Sequence, residues 1–160
     1  MRTFAELALG DRFESRSHTV TGEEITAFAR QFDPQPFHLG EDTARESFFG
    51  QQVASGWHTA ALTMRLLVET RPFVGGIVGG AAEVTWPRPT FPGDTLRVVA
   101  VVAELVPSRS RPDRGVVVVR SETLNQRDEV VQLLVTRLVM PREDRATQGL
   151  LTRAGRKGPP

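Results

Sequence analysis

The chain has 160 residues, 39% of them hydrophobic, and a formal net charge of +1 at pH 7. That is ample for one domain with a real core, and too nearly neutral to direct it at nucleic acid or an anionic membrane. There is no cysteine or tyrosine, one lysine (Lys157), and three scattered histidines, His18, His38 and His58. Disulfide, thiolate and Schiff-base chemistry are thereby set aside, and no zinc site is evident. Met1–Leu7 lacks a signal-peptide pattern and no apolar run would span a bilayer, so a cytoplasmic protein is expected.

Phe13 to Thr21 reads as an extended lead-in. Thr21-Gly22-Glu23-Glu24 matches a capping box, and Ile25, Phe28, Ala29 and Phe32 follow at one helical face. Proline biases its neighbours away from helix, so this helix should stop near Asp33 and the next residues should run stiff and extended. Gly40 to Phe49 suits a short helix, with Phe48-Phe49 as an apolar plug. A longer helix opens from Val53-Ala54-Ser55-Gly56-Trp57-His58. Its apolar residues Ala60, Ala61, Leu62, Met64, Leu66, Leu67 and Val68 occupy nearly every azimuth, the pattern of a buried helix. Gly75 to Gly80 lacks the lysine of a phosphate loop and reads as a flexible approach to a strand. Ala81 to Trp86, Leu96 to Val106, Val116 to Leu124 and Val130 to Val139 read as strands, the last three as an antiparallel meander. Beyond Pro141 the sequence is polar and reads as a flexible tail. The expectation is one α+β domain over residues 5–140, with residues 141–160 outside it.

The segment Phe32-Asp33-Pro34-Gln35-Pro36-Phe37-His38 carries the most chemistry. It holds a carboxylate and an imidazole five residues apart on a proline-stiffened turn. An acid and a base that reach one water molecule make a proton-transfer site. A helix cap and a surface histidine are the plainer reading of the same residues. The rest of the chain decides between them.

Asp33-Pro34-Gln35-Pro36-Phe37-His38 resembles the D-x-N-P-x-H motif of the MaoC-like dehydratases, the (R)-specific enoyl-CoA hydratases. Val53 to His58 resembles the opening of that family's central helix, and Pro87-Arg88-Pro89-Thr90-Phe91-Pro92-Gly93-Asp94-Thr95-Leu96 its turn into the later strands. The resemblance implies a hot-dog fold, an antiparallel sheet wrapped around a long helix. It implies Asp33 and His38 as the catalytic pair, the Gly56 amide as donor to the thioester oxygen, and Ser55 and Trp57 beside it. The implied reaction is reversible addition of water to a trans-2-enoyl-CoA, giving the (R)-3-hydroxyacyl-CoA. Coenzyme A is then part of the substrate, and no cofactor or metal is called for. A base, an acid and an oxyanion donor are what this addition needs. Glycine at position 56 would let the thioester approach the backbone closely. Gln35 departs from the motif's asparagine, which commonly braces the turn, and Thr63 is the hydroxyl nearest to a serine that some family branches place on the central helix.

Among the remaining residues, Arg88 is a candidate contact for a coenzyme A phosphate, with Arg109, Arg111 and Arg114 as rivals. His58 is a candidate second catalytic histidine. A hot-dog acyl-CoA thioesterase is the nearest rival activity, but the helix from Gly56 carries no carboxylate before Glu69. A non-catalytic acyl-CoA binding subunit is the rival of another class. An open sheet edge makes a homodimer the expected assembly, with an acyl-CoA as partner and neither nucleic acid nor membrane.

Overall fold

The computed structural model describes residues 1–143, so the polar tail of residues 144–160 lies outside the described residues. A short 3-10 turn (Phe4–Glu6) leads into strands β1 (Arg12–Glu14) and β2 (His18–Thr19). Helices α1 (Gly22–Phe32), α2 (Pro36–Leu39), α3 (Glu41–Ala44) and α4 (Gly56–Glu69) follow. The chain then forms β3 (Gly79–Thr85), β4 (Thr95–Pro107), β5 (Arg114–Leu124) and β6 (Val130–Pro141).

The sheet is antiparallel in the order β1-β4-β5-β6-β3, with β2 also paired to β4. The meander β4-β5-β6 is as the valine-rich runs and their short links require. Strand β3 follows the central helix and pairs with β6 at the far edge, so among the described residues one side of β3 is open. Side chains alternate along β4, and Val98, Ala100 and Val102 point inward. They meet Val117, Val119, Leu134, Leu138 and Met140 from β5 and β6, and Leu66 and Leu67 from α4. This is the hot-dog arrangement, a sheet curled against one long helix. Burial of a leucine such as Leu66 is worth about 2 kcal/mol. A second cluster of Val20, Ile25, Ala54, Leu62, Leu96 and Val131 ties α1 to the start of α4, and so fixes the two elements that carry Asp33 and Gly56.

Four expectations need correction. The stretch after Asp33 is extended only through Gln35. Pro36 then starts a helical turn at its first position, where a missing N–H costs nothing. Helix α4 is not buried all round: Trp57, Ala61, Met64 and Val68 form an exposed stripe opposite the buried His58, Leu62, Leu66 and Leu67. Phe32 is 63% exposed and Phe48 is 97% exposed. Phe32 sits at the last position of α1, past the rim of the core, its ring tilted against that of Phe28. Phe48 is no plug; it follows the end of α3 and meets Phe49 edge to face.

Candidate active site

Asp33 is the residue at which α1 ends, its N–H still bonded to the Ala29 carbonyl. His38 lies on α2 and is 5% exposed. Its Nδ1 is 2.7 Å from the Val53 carbonyl oxygen. A carbonyl can only accept, so Nδ1 bears the proton. That leaves Nε2 facing Asp33 Oδ2 at 3.4 Å. A neutral imidazole presents a lone pair to the carboxylate there, a spacing suited to a group that donates to both, and a protonated one faces the carboxylate with its own N–H.

The carboxylate is braced from two more sides. Ser55 Oγ donates to Oδ2 at 2.6 Å, and Gln35 Nε2 donates to Oδ1 at 2.8 Å. Partial burial works to raise the Asp33 pKa, but the bonds from Ser55 and Gln35 and the neighbouring His38 outweigh it and hold the carboxyl below its ordinary value. The longer glutamine therefore serves where the motif has asparagine. Its amide reaches back to the carboxylate two residues earlier.

Ser55 has a second task. It is the N-cap of α4, and its Oγ accepts from the Trp57 N–H at 3.2 Å while giving its own proton to Asp33. The amide of Gly56, at the first helical position, has no intrahelical acceptor and lies at the positive end of the helix dipole. The fold adds its own demand for glycine here. A Cβ on Gly56 would lie 2.8 Å from the indole of Trp86. The small residue is demanded by that ring, which covers the Cα.

These groups share one cavity of ≈ 350 Å³. Phe37 and Phe49 wall it from the segment between α1 and α4, and Trp57 and Trp86 from the helix side. Thr59 and Thr90 add hydroxyls, bonded to each other at 3.2 Å. Arg88 stands on the wall with a largely exposed side chain, its Nη1 donating to the Val130 carbonyl at 3.4 Å. The sequence-selected residues Asp33, His38, Ser55, Gly56, Trp57 and Arg88 thus converge on one space.

Other candidates lie elsewhere. His58 is buried against α1, stacked on Phe28 at 4.8 Å, and does not line the cavity. Among the described residues its Nδ1 has no hydrogen-bond partner, and burial lowers its pKa. Thr63 faces the sheet core rather than the cavity. Arg109 and Arg111 lie in the β4–β5 connection, and Arg114, paired with Asp113, begins β5. The 13-residue β4 places that connection roughly 40 Å from the strand's other end, near the cavity. Sequence reasoning passed over Val53, which fixes the imidazole through its carbonyl, and Trp86, noted only as a strand end. A tryptophan before the Pro-Arg-Pro turn was the available signal for the second.

The profile of the MaoC-like domain matches residues 5–126. The crystal structure of a MaoC-like dehydratase from Rhodospirillum rubrum superposes with a TM-score of 0.87 at 52% identity, covering 90% of this chain and 99% of that one. The protein YdeM of Bacillus subtilis, itself uncharacterized, is 30% identical over 77% of this chain and 87% of its own length. Mesaconyl-CoA hydratase of Haloarcula marismortui is 30% identical over 71% of this chain, which spans only 32% of that longer enzyme. With a matching domain profile, a shared fold and hydratase-named relatives, this chain belongs to the MaoC-like family of hydratases and dehydratases.

Proposed function

We propose that this chain adds water reversibly to trans-2-enoyl-CoA thioesters, giving (R)-3-hydroxyacyl-CoA, with Asp33 and His38 as the catalytic pair. The observation that carries the reading is the 3.4 Å approach of His38 Nε2 to Asp33 Oδ2 on a cavity wall that also holds the N-terminus of α4. A water between the two groups loses a proton to the dyad as its oxygen bonds to Cβ. Electrons shift onto the thioester oxygen, which the Gly56 N–H and the helix dipole receive, and the dyad returns a proton to Cα. The pair exchanges protons as a unit, with Nδ1 pinned by the Val53 carbonyl. Arg88 is the proposed contact for a coenzyme A phosphate, Trp57 a wall for the acyl group, and no cofactor takes part.

A homodimer is the proposed assembly. The open edge of β3 and the exposed stripe of Trp57, Met64 and Val68 on α4 support it. Among the described residues no helix is long and apolar enough to cross a membrane.

The test is loss of enoyl-thioester absorbance with crotonyl-CoA. Wild type should consume the band without releasing thiol, and Asp33→Asn and His38→Gln should each lower kcat by 10²-fold or more, roughly the scale of general acid–base catalysis. Free thiol would instead indicate a thioesterase. That rival is disfavoured because Glu69, at the far end of α4, is occupied by Arg16 and Arg65. Binding of coenzyme A thioesters without turnover would indicate a binding subunit.

A further inference from the structure

A chain of buried polar groups ends on the cavity wall. Gln132 on β6 is wholly buried. Its Oε1 accepts from Trp86 Nε1 at 2.8 Å, and its Nε2 donates to Thr63 Oγ1 at 3.0 Å. Thr63 commits its own proton to the Thr59 carbonyl at 2.9 Å, so Thr123 is the donor in the 2.6 Å contact between their hydroxyls. The order of donors is therefore fixed. A flipped Gln132 amide would set its NH2 against the indole N–H and its oxygen against a hydroxyl with no proton left to give. Networks of this kind are costly to break because each partner is left unpaired in a dry interior.

This chain holds one ring. The Trp86 indole lies directly against the Gly56 backbone, where even a methyl group would not fit. Trp57 packs against it, with ring centroids 5.2 Å apart at 80°. The ring cannot swing aside without losing both its anchored N–H and its packing on the helix. Together the two indoles bound a cavity of ≈ 350 Å³, at the small end of ligand sites.

We infer that Trp86, positioned by Gln132, determines acyl specificity by restricting the site to short acyl groups. The inference deepens the hydratase reading and rests on it. Trp86 would touch the acyl group, and Gln132 would act only through the ring.

The experiment compares kcat/KM for trans-2-enoyl-CoAs of four, six, eight and ten carbons in wild type, Trp86→Ala, Trp86→Phe and Gln132→Met. Calorimetric affinities for butyryl-CoA and octanoyl-CoA, which need no turnover, are measured in parallel. Wild type should favour four carbons over eight by about 10-fold or more, the scale set by methylenes that do not fit a pocket. Trp86→Ala should bring that ratio to within about threefold, and Trp86→Phe, which keeps a ring but loses the N–H that Gln132 holds, should fall between wild type and Trp86→Ala. Gln132→Met removes no cavity-lining side chain, yet should lower the ratio between the two lengths, which a purely structural role would leave unchanged. The half-exposed Trp86 variants keep the test intact if the buried Gln132 variant does not fold. An unchanged length ratio in Trp86→Ala, in both turnover and binding, overturns the inference while leaving hydration standing. No turnover in any variant, but a binding preference for butyryl-CoA that Trp86→Ala abolishes, removes the hydratase reading and keeps the acyl limit. Failure of wild type to bind either thioester overturns both.

Discussion

Helices α1 and α4 begin alike and end up doing different work. Each has a hydroxyl N-cap, Thr21 or Ser55, followed by glycine at the first helical position. In α1 the third position is Glu24, whose carboxylate reaches back to the Thr21 N–H at 3.0 Å while Thr21 Oγ1 accepts the Glu24 N–H at 3.1 Å. The box pairs the Thr21 and Glu24 amides with each other's side chains. In α4 the third position is His58, which turns away to stack on Phe28. No carboxylate closes that cap. The Ser55 hydroxyl is free to donate to Asp33, and the helix terminus stays open to the cavity. What sets α4 apart is that its N-terminus faces the cavity that also holds Asp33 and His38.

Breaking the open cap should cost activity most. Ser55→Ala removes the bond to Asp33 and the cap together, and kcat/KM for crotonyl-CoA should fall on the order of 10²-fold, as misplacement of a reacting group does. Thr21→Ala breaks the closed cap instead. It should lower unfolding free energy by about 1 kcal/mol in a denaturant titration and leave kcat/KM within about twofold. An equal loss of activity in both variants would remove the distinction between the two caps.

Two pH experiments sharpen the comparison. Asp33 titrates below its ordinary value of 3.8, so whatever its carboxylate contributes is fully present above that value and is lost as pH falls through the lowered one. Gln35→Leu deletes one stabilising donor and should move the acid limb of kcat/KM to higher pH. An unmoved limb would mean that Gln35 does not hold the carboxylate.

The smallest effect is expected at His58. Its folded pKa lies below the ordinary 6.5, so the unfolded chain binds the proton more readily. Stability is fully present above 6.5 and declines as pH falls through the lowered value. His58→Phe should flatten Tm against pH in that window, and a slope as steep as wild type would place the titrating group elsewhere.

Much of this was legible from local pattern. The capping box at Thr21, the end of α1 at Asp33 and the three long strands follow from neighbours in the chain, and the motif picked out Asp33 and His38, which the fold brings to 3.4 Å of each other. The Thr3-x-x-Glu6 pattern carries the same signal as Thr21-x-x-Glu24 and marks a real 3-10 turn, though it drew no expectation. The exposed stripe on α4 was not legible, because hydrophobicity marks a face that will be covered without saying whether its own chain covers it. Nor was the turn at Pro36, since proline forbids the middle of a helix and favours its first position with equal force.

The sequence alone determined which residues are candidates for the chemistry and where most of the helices and strands run, because those depend on side-chain type and on contacts three or four residues away. Only the tertiary structure decided how the site is held. The carbonyl of Val53 fixes the His38 tautomer, Ser55 braces Asp33 from 22 residues away, and Gln132 anchors Trp86 over Gly56 across 46 residues of chain. Such bonds join groups that are remote in sequence and become neighbours only when the sheet closes on the helix, so nothing in the local pattern encodes them.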